Sequence, residues 1–213
     1  MINTTYTIKA DPIKIITNYV MLTALQLPCY LFIAHSDYIT LTFIVVLLFW
    51  LFILLFELSS LYLLIKYGRP QLCFHDNFCQ IDLRVLKITV EYAQISTLSM
   101  RRTKQQHRGI SFGTYDELEL TFIHPIMQQH VLRNSRYPAK NFFISSNLLF
   151  KKSQILEIAI ILSALARMSS SKRQKSILQL QHHPHAYVAL ISEKDLENFK
   201  NNQYIYKIFK FGQ

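Results

Sequence analysis

The sequence predicts a two-helix membrane hairpin followed by a small α+β domain, and three observations favour this class. Two long apolar stretches lie within the first third of the 213 residues. Short segments of alternating polar and apolar residues follow and indicate about seven strands. One amphipathic helix comes next and is expected to cap the sheet. The predicted division is a transmembrane hairpin at 1–68, a sheet domain at 69–168 and a linker with an accessory segment at 169–213.

The two apolar stretches occupy residues 15–34 and 39–65. A helix of about 20 residues crosses a hydrocarbon core about 30 Å thick, so each stretch is long enough to span. A buried soluble helix and a cleaved signal peptide are alternatives for the first stretch, which contains Asn18 and Pro28. Neither alternative suits the second stretch, whose centre is apolar on every helical face. We therefore predict an uncleaved hairpin with a tight turn at 34–38.

Cations flank this hairpin at both ends. Lys9 and Lys14 precede the first span, Lys66 and Arg69 follow the second, and the turn contains no Lys or Arg. The positive-inside rule places such flanks in the cytoplasm. The predicted location is therefore a bacterial inner (plasma) membrane, crossed twice, with both termini cytoplasmic and the lipid bilayer as the first partner.

Glu57 is the one acidic residue inside the predicted spans. A charge at membrane depth costs at least about 2.5 kcal/mol, so such a residue is either paired or functional. In an antiparallel hairpin, Asn18 and Lys14 lie at a comparable depth and are predicted to satisfy it. Because one acid makes no ion or proton pathway, the intramembrane polar residues Glu57 and Asn18 are predicted to be structural.

The domain after the hairpin begins where Gly68 and Pro70 end the second helix. Turn signals between segments rich in β-branched and aromatic residues predict strands at 71–75, 79–83, 86–91, 95–101, 118–124, 130–132 and 141–145. Ser153 is a suitable N-cap for a helix that runs to about Arg167. One face of that helix is apolar and consists of Ile155, Ile158, Ile161, Leu162 and Leu165.

Three segments carry a family resemblance: LCFHDNFCQIDL, VEYAQISTLSMRR and NFFISSNLLFKKSQILEIAIILSALAR. With the two spans before them, they resemble bacterial membrane proteins that carry a pleckstrin-homology-like (PH-like) domain, and most of all the STM3941-type family. The resemblance covers roughly residues 15–167 and implies a small PH-like β-barrel or sandwich of about seven strands closed by a C-terminal helix. Family members often have Trp where this chain has Glu91-Tyr92. The tail after Ser169 has no counterpart, although it is apolar enough to pack on the domain or to bind a partner.

The positive charge lies outside the spans. Only Lys9 and Lys14, of 23 Lys and Arg, precede Lys66, and the net charge of the chain is +10. Such an excess beside a membrane is typical of retention charge or of contact with anionic lipid headgroups. Nucleic acid is the other polyanion that a basic chain can bind, and it is not predicted here.

A basic segment between two predicted strands is the candidate interaction site. Arg101, Arg102, Lys104 and Arg108 are predicted to lie in a long exposed loop that contacts the membrane surface or a protein partner. A solvated loop that binds nothing is the alternative.

No catalytic, metal or cofactor site is predicted. The chain has four Gly, with no Gly-rich phosphate loop and no Ser in a Gly-framed elbow. Pro184 interrupts the His group at 182–185, which is interpreted as a solvated turn rather than a metal site. Cys29, Cys73 and Cys79 are predicted to be reduced, because a cytoplasmic domain does not use disulfides.

The sequence thus predicts a membrane-anchored, non-catalytic interaction module whose PH-like domain binds a protein partner or the anionic membrane surface. An inner-membrane immunity protein that protects against a toxin is an alternative. A small transporter subunit is another, and Glu57 is its only support.

Overall fold

The structure is a computed structural model that describes residues 5–36, 41–107, 110–146 and 150–191, without the side chains of 102–107 and 110–114. It has two long apolar helices, a seven-stranded antiparallel sheet and C-terminal helices. The elements are β1 (Tyr6–Lys9), α1 (Pro12–Ala34), α2 (Leu41–Tyr67), β2 (Gln71–Phe74), β3 (Phe78–Asp82), β4 (Leu86–Glu91), a 3-10 turn (Tyr92–Gln94), β5 (Ile95–His107), β6 (Ile110–His130), β7 (Ser135–Ser145), α3 (Lys152–Arg167), α4 (Ser170–His182) and a second 3-10 helix (Pro184–Leu190).

Two compact units make up the chain. The helical unit is Asp11–Arg69, and the sheet unit is Met1–Ala10 together with Pro70–Gln213. The helical unit ends one residue after the predicted boundary at 68, and β1, which precedes the first span, belongs to the sheet unit.

The helical unit consists of two packed helices with local signals at their ends. The Asp11 carboxylate accepts a hydrogen bond from the backbone N–H of Ile13 at 3.2 Å, and Pro12 begins α1. Gly68 ends α2 with φ +72°, and its N–H donates to the carbonyl of Leu64 at 3.0 Å. α1 begins three residues before the predicted first span and ends with it, and α2 continues two residues beyond the predicted end of the second span. Residues 37 and 38 of the predicted turn lie outside the described residues.

The sheet has the strand order β1-β2-β3-β4-β6-β5, and β7 pairs with β6 as well. β1 to β4 form one antiparallel meander and β5 to β7 form another. The meanders are joined at Leu86 and Lys87 of β4, which pair with His130 and Gln129 of β6. Burial alternates along β1 to β4, which places one face of these strands in the core.

Strand β1 is absent from the sequence prediction. Tyr6 and Ile8 are buried, and Lys9 pairs with Gln71 of β2. The N–H of Ala10 donates to the carbonyl of Pro70 at 2.7 Å. The helical unit is therefore an insertion between two neighbouring strands of one sheet. A four-residue alternation directly before a helix is too short to identify a strand without its pairing partner.

The predicted loop with four cations is mostly strand. β5 and β6 pair from Ile95 to His107, which places Arg101 opposite Glu117, Arg102 opposite Asp116 and Lys104 opposite Thr114. Arg108 lies outside the described residues. The loop prediction was wrong because residues 102–109 lack the alternation of apolar and polar residues by which a half-buried strand is recognised in sequence.

The predicted strands 118–124 and 130–132 are also different in the structure. One strand, β6, runs through 110–130, and residues 131–134 form a turn in which Asn134 has φ 45°. Pro125 lies in β6 where the register with β7 shifts between Thr121 and Ile126. A proline is tolerated in a strand at such an irregularity, so it did not end the strand as the sequence suggested.

Helix α3 lies in the core. It begins at Lys152 with Lys151 as its N-cap residue, rather than at the predicted Ser153, and the Gln154 side chain accepts a hydrogen bond from the N–H of Lys151 at 3.0 Å. The predicted apolar face is buried, and so are Ala159, Ile160, Ser163 and Ala164. The second face is buried because α3 packs on β5 and β6 and also on the 3-10 helix at 184–190. Residues 170–182 belong to the predicted linker and accessory segment and form α4.

Candidate functional site

A polar cluster of Thr23, Gln26 and Glu57 lies between the two apolar helices. The Glu57 carboxylate accepts a hydrogen bond from the Thr23 hydroxyl at 2.8 Å and another from the Gln26 amide. One turn away, Tyr19 donates to the Ser60 hydroxyl at 3.0 Å. The partners of Glu57 are thus not the predicted Asn18 and Lys14, which lie on α1 closer to its N-terminus. The sequence therefore predicted the position on α1 that faces Glu57 only to within about two helical turns.

The cluster predicts a difference between two substitutions of Glu57. Glu57→Gln keeps an oxygen that can accept from Gln26 and Thr23, so helix packing is expected to change by less than about 0.6 kcal/mol. Glu57→Leu leaves the Gln26 amide without its acceptor, whereas Thr23 can donate to the carbonyl of Tyr19, 3.0 Å away. We expect a loss of about 1–2 kcal/mol of helix–helix association, measured by SDS titration of the purified chain in mixed micelles. Equal curves for the two variants would contradict a pairing role.

Arg101 is the residue of the predicted basic site whose side chain the structure describes. This side chain pairs with a residue of the neighbouring strand. Its Nε and Nη2 atoms both lie 2.7 Å from Oε2 of Glu117, the residue opposite it in the register. Its guanidinium also lies over the Phe143 ring at 5.6 Å from the ring centre. The hydrogen bond and charge of Glu117 raise the pKa of Arg101, which keeps the guanidinium ionised. Of Arg102 and Lys104 the structure describes the backbone, in β5.

Tyr6 and Glu157 join β1 to α3. The Tyr6 hydroxyl donates to Oε1 of Glu157 at 2.7 Å, although the two residues lie far apart in sequence. Burial raises the pKa of Glu157, and the hydrogen bond from Tyr6 offsets part of this rise. Burial also raises the pKa of Tyr6, followed by the hydrogen bond to Glu157. The pair is a partly buried polar contact of the sheet unit.

This pair predicts a pH dependence of stability. Because the folded pKa of Glu157 lies above its ordinary 4.5, the folded state holds the proton longer than the unfolded state. The free energy of unfolding therefore falls as pH rises from about 4.5 to the folded pKa, by at most about 1.4 kcal/mol per pH unit. Glu157→Gln should remove this contribution. Tyr6→Phe should enlarge it, since the hydrogen bond that lowers the pKa is lost. Urea midpoints across this pH range test both variants, and a slope that Glu157→Gln leaves unchanged would contradict the assignment.

Arg173 fixes α4 to the turn between β2 and β3. Its guanidinium donates to the carbonyls of Met168 at 2.8 Å and Asp76 at 3.2 Å and lies 5.1 Å from the centre of the Tyr92 ring. The Tyr92 hydroxyl donates to the carbonyl of His75 at 2.9 Å. Burial raises the pKa of Tyr92 and lowers the pKa of His75. Arg173, Tyr92 and His75 therefore form a contact that holds α4 on the sheet unit.

All three cysteines are free thiols. Cys79 is fully buried opposite Phe74 and Val90, and burial raises the pKa of its thiol. Its thiol is therefore unreactive while the sheet unit is folded. Among the residues that the structure describes, no group of three or more His, Cys, Asp and Glu could hold a metal ion, and this includes the His group at 182–185.

One cleft of about 480 Å³ opens on the sheet unit where β4 and β5 diverge along β6. Its lining is mainly amide, hydroxyl and charged side chains with some apolar ones: Gln80, Lys87, Ile88, Thr89, Glu91, Gln94, Pro125, Ile126, Met127, Gln129 and Arg136. Lys87 is paired with Asp82 at 2.6 Å. Among the described residues, its lining has no Ser, Cys or His, and its hydroxyl, amine and carboxylate groups are those of Thr89, Lys87 and Glu91.

Comparison with protein-family models, with curated proteins and with solved structures found no match. The fold and these contacts define a class: a seven-stranded antiparallel sheet domain with an apolar helical hairpin inserted between its first two strands. The resemblance to PH-like membrane proteins stays a prediction.

Proposed function

We propose that this chain is a membrane-anchored, non-catalytic interaction module. The helical hairpin inserts in the lipid bilayer, and the sheet unit, a PH-like domain, binds a protein partner or the anionic membrane surface. The PH-like assignment is supported by the succession of a four-strand meander, a three-strand meander and the helix α3. Both termini are cytoplasmic in this proposal, because cations flank both ends of the hairpin.

The exposed surface of the two helices carries the proposal. α1 has 23 residues and α2 has 27, yet Ile15 and Ile53 are their only buried residues among those described. Large apolar side chains are exposed along both helices, as at Leu48 (61%) and Phe52 (67%). An apolar surface of this extent in water is unusual for a monomer and is what a bilayer would cover. Length and composition alone would also fit a soluble core helix, but core helices are mostly buried.

The connectivity of the chain supports a sheet unit that lies entirely on one side of the membrane. Lys9 and Gln71 are neighbours in the sheet, so the chain leaves for α1 and returns from α2 at one edge. A hairpin crosses a bilayer twice and returns the chain to the same side. At the end of α2, the Lys66 ammonium donates to the Tyr62 hydroxyl at 3.0 Å and lies 5.3 Å from the centre of the Tyr67 ring. Tyrosine and lysine together are typical of a membrane interface.

Alkaline carbonate extraction of membranes from cells that express the full chain tests the proposal. We expect the protein to stay in the membrane pellet. The Leu48→Lys/Phe52→Lys variant should move to the supernatant, because each lysine near the centre of a span costs about 2.5–3.5 kcal/mol. The matched control is Leu178→Lys, a single lysine at an exposed position of α4 that should leave extraction unchanged. Release of the unmodified chain by carbonate would overturn the anchor.

A further inference from the structure

An arm of the sheet unit combines exposed apolar side chains with cations. The arm consists of residues 123–140, which form the end of β6, the turn at 131–134 and the start of β7. Four large apolar side chains in it are exposed: Ile123 (46%), Met127 (55%), Leu132 (55%) and Tyr137 (39%). Its exposed cations are Arg133, Arg136 and Lys140. We call residues 123–140 the basic arm.

The basic arm lies in a long acid-free part of the sequence. No Asp or Glu occurs between Glu119 and Glu157. Within the described residues, Lys87–Asp82 and Arg101–Glu117 are ion pairs of the sheet unit, and neither involves a cation of the basic arm. Arg101 is therefore neutralised by its neighbour, whereas residues 123–140 contain no acid that could neutralise the cations of the basic arm.

The basic arm is held in shape before it meets any partner. β6 and β7 pair in register from Ile126 with Ala139 to His130 with Ser135. The N–H of Val131 donates to the carbonyl of Val85 at 2.8 Å, which ties the turn to the neighbouring turn before β4. Leu132 at the apex is thus presented by a paired strand end, and little conformational entropy is lost when it is buried.

We infer that the basic arm is a contact surface for an anionic lipid bilayer, and this inference rests on the proposed membrane anchor. Aliphatic and aromatic side chains enter the boundary between headgroups and acyl chains, while Arg and Lys attract anionic headgroups. Charge complementarity favours an anionic surface over a neutral one. Because exposed apolar residues and cations occur together along the same two strand ends and turn, an apolar phase beside the negative charge fits the arm better than an acidic protein in water does.

The experiment uses the full chain in lipid nanodiscs, with a fluorophore on Leu132→Cys and nitroxide-labelled lipids as quenchers. Cys29→Ala and Cys73→Ser remove the accessible thiols, and Cys79 remains because it is fully buried. We expect strong quenching in discs of phosphatidylcholine with phosphatidylglycerol and several-fold weaker quenching in phosphatidylcholine alone. Quenching that is absent from the anionic discs, or equal in both, would overturn the inference.

Two double variants that lose the same charge distinguish a local effect of the basic arm from an effect of the net charge of the chain. Arg133→Gln/Arg136→Gln should lower the ratio of bound to unbound arm by roughly 30-fold in anionic discs. Lys172→Gln/Lys175→Gln, at exposed positions of α4, should leave quenching unchanged. Equal effects of the two pairs would overturn the assignment to this arm. The unreactive thiol of Cys79 verifies that each variant is folded.

The two proposals fail in different ways. A chain that does not incorporate into discs at all contradicts the membrane anchor. A chain that incorporates and stays unquenched at position 132 contradicts the basic arm alone.

Discussion

Ile8→Asp is expected to unfold the sheet unit under conditions in which the unmodified chain is folded. Ile8 is 5% exposed and pairs with the fully buried Leu72. A carboxylate at this position would be buried without a counter-charge, which costs about 3–5 kcal/mol. That is a large fraction of the stability of a typical domain. The measurement is the urea midpoint, followed by the reactivity of the Cys79 thiol in the full chain after Cys29→Ala and Cys73→Ser.

Thr7→Asp is the matched control for this prediction. Thr7 is the next residue of β1 and points to the exposed face, so the same carboxylate stays in water. We expect a change within about 0.5 kcal/mol, as for most surface substitutions. Similar midpoints for Ile8→Asp and Thr7→Asp would show that residues 6–9 do not form a strand of the sheet, and the insertion of the helical unit between β1 and β2 would be wrong.

Ile160→Ala is expected to lower the free energy of unfolding of the sheet unit by about 2–5 kcal/mol. Ile160 is fully buried, although it lies outside the apolar face that the sequence pattern assigns to α3. The loss comes from the removed apolar atoms and from the cavity that they leave. Ile160→Val removes one methylene group and should cost about 0.5–1.5 kcal/mol at the same position.

Leu178→Ala controls for the loss of an apolar side chain without a cavity. Leu178 is 43% exposed on α4, so its truncation should change stability by less than about 1 kcal/mol. The Cys79 assay measures all three variants. An Ile160→Ala variant as stable as Leu178→Ala would mean that the C-terminal segment does not cover the second face of α3.

Local pattern was sufficient where one property decides the structure. The two long helices were predicted from continuous hydropathy, because a span is specified by its own length and polarity. The strands at 71–91 were predicted within one residue at either end, since each alternates between a buried and an exposed face. Gly68 marked the end of α2 because its φ of +72° is one that glycine adopts without a steric penalty.

Pattern failed where a partner distant in sequence decides the structure. The hairpin of β5 and β6 is held by cross-strand pairs such as Arg101 with Glu117, which no single-strand periodicity reveals. Glu57 could be recognised as an acid within a long apolar stretch, but its partners depend on how the two packed helices are aligned along their length. For the Arg101 site, the opposing acid was visible in the sequence, and only the register shows that it neutralises the cation.

By itself, the sequence determined the two apolar helices, the positive charge after them and the core faces of β2 to β4, because hydropathy and alternation act within a few residues. The tertiary structure alone decided that β1 joins the sheet across an inserted hairpin of nearly sixty residues. It also decided that α3 is buried on both faces and that Arg101 is neutralised by Glu117, whereas the cations of residues 123–140 form no ion pair within the described part of the chain. Each of these depends on which segments meet in space, and pairing between segments far apart in the chain is not encoded in the periodicity of either one.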